Sequence, residues 1–359
     1  MSFRNYVAAG AIVALTAPSL YAAALTSGNI AVLRVGDGTT LVNSAGAINV
    51  LEYSSAGAVQ QTIAITSTGT TGIQVSGTAT SEGEISLTGT RLGFAGYTPG
   101  SGGFGGTGSL SSRTSANAQR AYGTIDTATG TYAFGESLGS SGTNDYTGTN
   151  IRSAVVTDSG AYGSGGNTGT VYRSGGTNSV IQNANTNTRV NNVINGNLYY
   201  STGSGTQGIY GFTGVPTTAT TPTAILTGVS GQGTSPYDFA FSADSLTLYV
   251  ADDGIGVQKF TRASTSSAWA LAYNITSTAT SNRAFGLGVD FSGASPVVYY
   301  TTPTDLLKYV DTGVGGTATS IATAGTNFAF RGVEVVPEPT SLALIGIAGL
   351  IGLRRRRTA

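Results

Sequence analysis

Asp252-Asp253-Gly254 sets two carboxylates side by side in a tight loop between two predicted strands, an arrangement that suits an oxygen-seeking cation such as Ca²⁺ outside cells. The same residues also suit a hairpin turn, and no Asp-x-Asp-x-Asp-Gly loop with a distal glutamate surrounds them. Asp238, Asp244, Asp290, Asp305 and Asp311 likewise border strand-like runs, where a carboxylate caps a turn. Two such groups facing each other about 5 to 10 Å apart would make the carboxylate pair of a glycoside hydrolase. The rest of the usual catalytic kit is missing. The chain has no histidine and no cysteine, which removes the common near-neutral acid or base, the commonest transition-metal ligand and any thiol nucleophile. Lys259 and Lys308 are the only lysines. The 18 tyrosines offer more to binding than to catalysis. Tyr237, Tyr249 and Tyr300 sit on strand runs from which an amphipathic ring stacks on a sugar or a protein partner, or fills the space between sheets. Arg331 pairs with Glu334 or another nearby acid in a structural role.

These residues are carried by strands. Between Leu25 and Val336 no twelve-residue stretch keeps a 3.6-residue apolar rhythm, whereas period-two runs bounded by Gly, Asn, Asp, Ser and Thr recur throughout. The body is therefore all-β. A phrase of four short strands repeats: 236–242, 246–251, 257–260 and 269–275 are followed by a second copy from Ala284 to Ala322. Unit starts at Ile151, Arg189, Pro236, Ala284 and Phe328 are 38, 47, 48 and 44 residues apart, the size of a β-propeller blade. The run Phe328–Val335 repeats only the first strand of a unit. Strands in 30–65 would supply the rest and close the ring with both ends of the body in one blade. Six blades result, or seven if 82–136 holds two short ones. Within that region Gly96–Ser112 is rich in glycine and serine and reads as a flexible loop.

The end of the chain is of another kind. Pro337-Glu338-Pro339 stops the body in extended backbone, Ser341–Leu353 is uncharged, and Arg354, Arg355, Arg356 and Arg357 follow. A helix of thirteen residues spans only about 20 Å, short of the roughly 30 Å hydrocarbon layer. Arginines that snorkel into headgroups extend its reach and hold that end in the cytoplasm. This order of Pro-Glu-Pro, short glycine-containing helix and arginine cluster closely resembles the PEP-CTERM sorting signal of bacterial envelope and extracellular-matrix proteins. The resemblance implies recognition by an exosortase-type membrane peptidase, removal or exchange of the helix, and a host that makes exopolysaccharide and biofilm. The body resembles, more diffusely, the propeller-like domains found ahead of such tails.

At the other end, Arg4, an apolar run from Tyr6 to Leu15 and small residues at 22–24 read as a signal peptide cut by signal peptidase after Ala24. The organisation is thus 1–24 signal helix, 25–336 β-propeller and 337–359 sorting signal with a short transmembrane helix. Outside Arg4, the four tail arginines and Glu338, the body carries 12 basic and 16 acidic side chains. Nothing in that balance attracts a nucleic-acid backbone. The expected product is an exported, transiently anchored envelope or matrix protein that meets polysaccharide or other envelope proteins. Two alternatives remain: a carboxylate-dependent glycan hydrolase or lyase, and a surface protein that packs against its own copies.

Overall fold

The computed structural model describes residues 23–139, 145–277 and 283–337. The expected signal helix and C-terminal helix lie outside these residues. The runs of Val, Ile, Tyr and Phe become strands because branched and aromatic side chains fit a pleated surface buried on one or both sides. β1 (Ile30–Val35), β2 (Ala45–Tyr53) and β3 (Val59–Ala64) pair antiparallel in order. The short β4 (Gln74–Ser76) ties the start of β2 to the next blade. That blade is β5 (Ile85–Thr88), β6 (Arg91–Thr98), β7 (Gln119–Asp126) and β8 (Thr131–Ser137).

The third blade is β9 (Ile151–Val156), β10 (Ala161–Gly165), β11 (Thr170–Ser174) and β12 (Thr177–Gln182). The fourth is β13 (Thr188–Ile194), β14 (Asn197–Thr202), β15 (Gly208–Gly211) and β16 (Thr223–Thr227). The fifth is β17 (Pro236–Phe241), β18 (Thr247–Asp252), β19 (Gly256–Thr261) and β20 (Ala270–Ser277). The sixth is β21 (Leu287–Asp290), β22 (Val297–Thr301), β23 (Asp305–Val310) and β24 (Thr317–Thr323). Finally β25 (Ala329–Val335) pairs with β1, Val335 opposite Ile30 and Ala329 opposite Val35, and completes the blade begun by β1 to β3. The described residues thus form a six-bladed β-propeller with its first and last strands in one blade, as the repeat spacing predicts.

Neighbouring blades cover both faces of the inner and middle strands, which is why β1 and β17 are buried almost throughout. The rim strands β8 and β20 alternate exposed and half-buried positions, the mark of a sheet with one wet face. The core accordingly lies between blades. Tyr237, Tyr249, Phe285 and Tyr300 pack between the fifth and sixth, and Ile30, Val32, Tyr299 and Phe330 between the sixth and the composite blade.

The innermost strands β25, β5, β9, β13, β17 and β21 pack side to side around the axis. They approach closely enough for main chain to bond main chain across blades. Gly332 N–H donates to Gly83 O at 3.1 Å, Glu84 N–H to Arg152 O at 3.1 Å, and Asp238 N–H to Phe285 O at 3.3 Å. This approach depends on glycine: a Cβ on Gly332 would stand 2.3 Å from Ile85 N, and one on Gly286 would stand 2.6 Å from Gly332 Cα. The axis is a packed core rather than an open bore.

The expected loop at 96–112 holds for 99–109, which lies outside any strand or helix and is mostly exposed or half-buried, but its two ends differ. β6 runs on through Gly96, Tyr97 and Thr98, and Leu110, at the start of a 3₁₀ turn (Leu110–Ser112), is fully buried. The reason lies downstream in Arg120, which is buried and gathers the returning chain: its guanidinium donates to the carbonyls of Ser111 (3.0 Å), Arg113 (2.8 Å), Ala118 (2.8 Å) and Thr149 (2.6 Å).

Candidate functional site

The residues able to do chemistry gather on the innermost strands. At the end of the axis where these strands begin, the side chains are mostly arginine. Arg152 donates to Thr188 O (2.9 Å) and Asn187, and Arg189 donates to Ser235 Oγ (2.8 Å) with its guanidinium 4.0 Å from the centre of the Tyr237 ring. Arg283 pairs with Asp253. Buried Arg331 donates to Gly77 O (3.1 Å) and Phe330 O (2.9 Å). Glu82 lies among them, accepting from Ser76 N–H (2.8 Å), Tyr97 O–H (2.8 Å) and Asn150 Nδ2 (2.6 Å).

Further along the axis the charge changes sign. Glu84 is fully buried, and neither of its carboxylate oxygens accepts a protein hydrogen bond. Burial pushes its carboxyl well above the usual range and the Asp238 charge pushes it further, against Arg331 and Arg189. Asp238, also fully buried, accepts from Phe239 N–H (2.8 Å), Asn192 Nδ2 (2.9 Å) and Leu287 N–H (3.0 Å). Burial outweighs these bonds and raises its pKa to about 7. Glu334 is raised well above the carboxylate range by burial and then by Asp238, with Leu87 N–H donating to it at 3.2 Å. Glu334 lines a hollow of about 180 Å³ near the ends of the inner strands whose other walls include Leu87, Ile194, Phe241, Leu287 and Phe291, and neither Glu84 nor Asp238 is among its lining residues.

A carboxyl group raised in the folded state binds its proton more tightly there than in the unfolded chain. For Asp238 the stabilising contribution is complete below about pH 4 and lost as the pH climbs through about 7, and for Glu84 and Glu334 it is lost as the pH rises through their raised values. Denaturation across that window should therefore show stability falling by up to about 1.4 kcal/mol per pH unit from Asp238, with Glu84 and Glu334 acting in the same direction. Glu334→Gln, which removes the repulsion on Asp238, should flatten the slope. A wild-type profile that rises from about pH 4 to 7 would contradict the assignment. Asp311 works in the opposite sense. Burial raises it, but bonds from Lys259 (2.7 Å), Tyr249, Tyr273 and Gly313 N–H outweigh that and hold it low, so its contribution disappears in acid below its ordinary range.

The residues singled out in the sequence lie as follows. Tyr249 and Tyr300 are fully buried between blades, the first bonded to Asp311 and the second to Thr276 O at 3.3 Å. Tyr237 is nearly so, set edge-on to Phe285 at 4.8 Å. Asp252 accepts from Ser235 N–H and Gly254 N–H, both at 2.8 Å, while Asp253 holds Arg283. Among the described residues no three Asp or Glu side chains are grouped as a metal site. Ala24 is exposed, and its carbonyl accepts from Gln61 Nε2 at 3.4 Å. Pro337 is exposed just past β25. Glu338, Pro339 and Arg354 to Arg357 lie outside the described residues.

Arg331 does not pair with Glu334. Three positions apart on a strand, the two point to opposite faces, and Arg331 meets the field of Glu84 and Glu82 instead. Glu84 and the arginine group escaped the sequence reading, although a signal was present. Ile151-Arg152-Ser153, Thr188-Arg189-Val190 and Phe330-Arg331-Gly332 repeat one charge near the start of three of the six innermost strands.

A second recess lies at the outer surface between the second and third blades. It has a volume of about 310 Å³ and its lining includes Tyr122, Glu136, Asp158, Ser159, Arg173 and Ser174. Arg173 and Glu136 form an ion pair across it at 3.0 Å.

Residues 335–357 match the PEP-CTERM protein-sorting motif, the signal for export and exosortase-type sorting to the cell surface. The match begins at Val335, the last residue of β25. Among the described residues no helix is long and apolar enough to cross a membrane. No curated protein matches the chain in sequence. Among solved structures it is similar to TolB from Acinetobacter baumannii, with 10% identity, 86% of this chain and 67% of that one covered, and a TM-score of 0.43. It is also similar to a gluconolactonase from Xanthomonas campestris, with 13% identity, 65% and 71% covered, and a TM-score of 0.37.

Proposed function

We propose that the chain is an exported envelope or matrix protein without catalytic activity, held for a time by its tail and then presenting its propeller surface to polysaccharide or to other envelope proteins. The observation that carries this reading is where the acids stand. A glycosidase needs both carboxyl groups open to the sugar and to water. Glu84 and Asp238 are sealed within the axis, and Asp238 spends its oxygens on three donors. Glu334 lines a hollow whose walls include neither of the other two.

The recess between the second and third blades supports a binding role. Its hydroxyls and paired charges supply donors and acceptors for a hydroxylated polymer. Ser174→Trp should fill this recess and weaken binding of the mature protein to exopolysaccharide at least about tenfold with little change in stability. Calorimetric titration against polysaccharide from the producing cells would check this, and unaltered affinity would remove the recess from consideration.

The sorting role has its own test. Replacing Pro337, Glu338 and Pro339 by alanine should stop processing and leave the protein in the membrane fraction at its uncut mass. A variant with wild-type mass and location would contradict it.

A further inference from the structure

Arg152 and Arg189 stand near the start of β9 and β13, and among the described residues no ion pair reaches either. In each, one terminal nitrogen makes every hydrogen bond that the guanidinium forms. Nη1 of Arg152 donates to Thr188 O at 2.9 Å and to Asn187 Oδ1, and Nη1 of Arg189 donates to Ser235 Oγ at 2.8 Å and Ser235 O at 3.4 Å. Nη2 of each donates to no described residue. Both side chains are half-buried, so water reaches them. Gly203 leaves room for Arg189, since a Cβ there would stand 2.5 Å from its Nη2. The two charges are close enough to act on each other: burial lowers the pKa of Arg152, the Tyr237 hydroxyl opposes this, and Arg189 lowers it further. The Tyr237 ring lies under Arg189, and its hydroxyl, which bonds to no described residue, stands in the fields of both arginines. Arg283, held by Asp253, also acts on that hydroxyl.

Like charges gathered in this way repel one another, and the fold keeps these two together with donors to spare. A ligand that brings a negative charge relieves the repulsion. The planar guanidinium matches the paired oxygens of a carboxylate better than a point charge does. The neighbouring acids limit how much charge the ligand can carry. Asp253 already answers Arg283, and Glu84 and Glu82 answer Arg331, so the excess sits on Arg152 and Arg189. Glu82 also acts on Arg152 and would repel a dianion such as phosphate. A monoanion that carries hydroxyl groups suits both the free nitrogens and the free phenol. We infer that this end of the axis binds the carboxylate of an acidic sugar, held by Nη2 of Arg152 and Nη2 of Arg189, with the Tyr237 hydroxyl bonded to a hydroxyl of the sugar ring. In assigning the anion to a sugar the inference rests on the polysaccharide reading above. It adds a second point of contact, because none of these three residues lines the recess between the second and third blades.

Calorimetric titration of the protein purified from exporting cells tests this, with sodium glucuronate, glucose, sodium sulfate and polygalacturonate as ligands at low salt. Glucuronate and polygalacturonate should bind, and glucose should not. Arg152→Gln and Arg189→Gln should each weaken both by at least about tenfold, and Tyr237→Phe should weaken them severalfold. Thermal melting shows which variants fold. Tyr237→Phe keeps the ring under Arg189 and carries the test where an arginine variant fails to fold. Absence of glucuronate binding overturns the inference, as does unchanged affinity in a folded arginine variant or in Tyr237→Phe. Sulfate that binds as tightly as glucuronate overturns it too. Polysaccharide binding lost in Ser174→Trp but kept in the arginine variants overturns it and leaves the function above standing. Glucuronate binding lost in the arginine variants, with no polymer bound by the wild type, upholds the site and overturns the polysaccharide role.

Discussion

Gly332→Ala should cost the protein about 3 to 5 kcal/mol, enough to leave much of it unfolded. The added Cβ would fall 2.3 Å from Ile85 N and 2.9 Å from Glu84 C, against main chain that has no rotamer to give. Relief requires β25 to back away from β5, and the bond from Gly332 N–H to Gly83 O goes with it. A graded series tests the cause. Gly288→Ala, whose nearest atom is Val335 N at 3.0 Å, should cost less, and Gly102→Ala, with nothing within 4 Å, should be close to neutral. Denaturation midpoints that fail to follow this order would show that the inner strands do not meet as described.

Arg120→Ala should be nearly as damaging, at about 3 to 5 kcal/mol. The loss is mainly of hydrogen bonds. The guanidinium gathers four carbonyls from three stretches of chain and lies 5.0 Å from the centre of the Tyr97 ring. Burial lowers its pKa, partly offset by Tyr97, Asp145 and Glu82, without a direct salt bridge to any of them. Alanine leaves those acceptors without donors in a dry place, where each unmet group costs about 1 to 3 kcal/mol. Arg120→Lys should recover little, because one ammonium cannot span the fork. Limited proteolysis supplies a second readout: cleavage within 99–118 should quicken in both variants. If the segment stays resistant in Arg120→Ala, the arginine does not hold it.

Much of the ring was legible in the chain. The period-two runs and their spacing gave the all-β class, and Phe328–Val335, a first strand without successors, gave the composite blade. Asn195-Gly196, both at positive φ, marks the tight turn between β13 and β14 as the sequence rule requires. What stayed hidden depended on distant partners. Gly96-Tyr97-Thr98 has the composition of a loop, and only Arg120 and the pairing of β6 with β7 make it strand. Glu84 stands in a polar phrase, Ser81-Glu82-Gly83-Glu84, that reads as a surface turn. Its burial follows from Gly332 and Gly83, which let two main chains meet beside it. The tyrosines were visible as a class, but whether a ring faces solvent or a neighbouring blade is decided by blade packing, which strand alternation alone does not fix.

The shared blade also bears on how the protein is made. β1 waits for a partner almost three hundred residues further on, so this pairing cannot form until nearly the whole body has been made. Until then β1 offers a bare edge that invites pairing with other chains, and a product that stalls before Ala329 keeps that hazard for good. Any chain long enough to bear the address has already acquired the strand that removes it, so dispatch is confined to molecules equipped to fold.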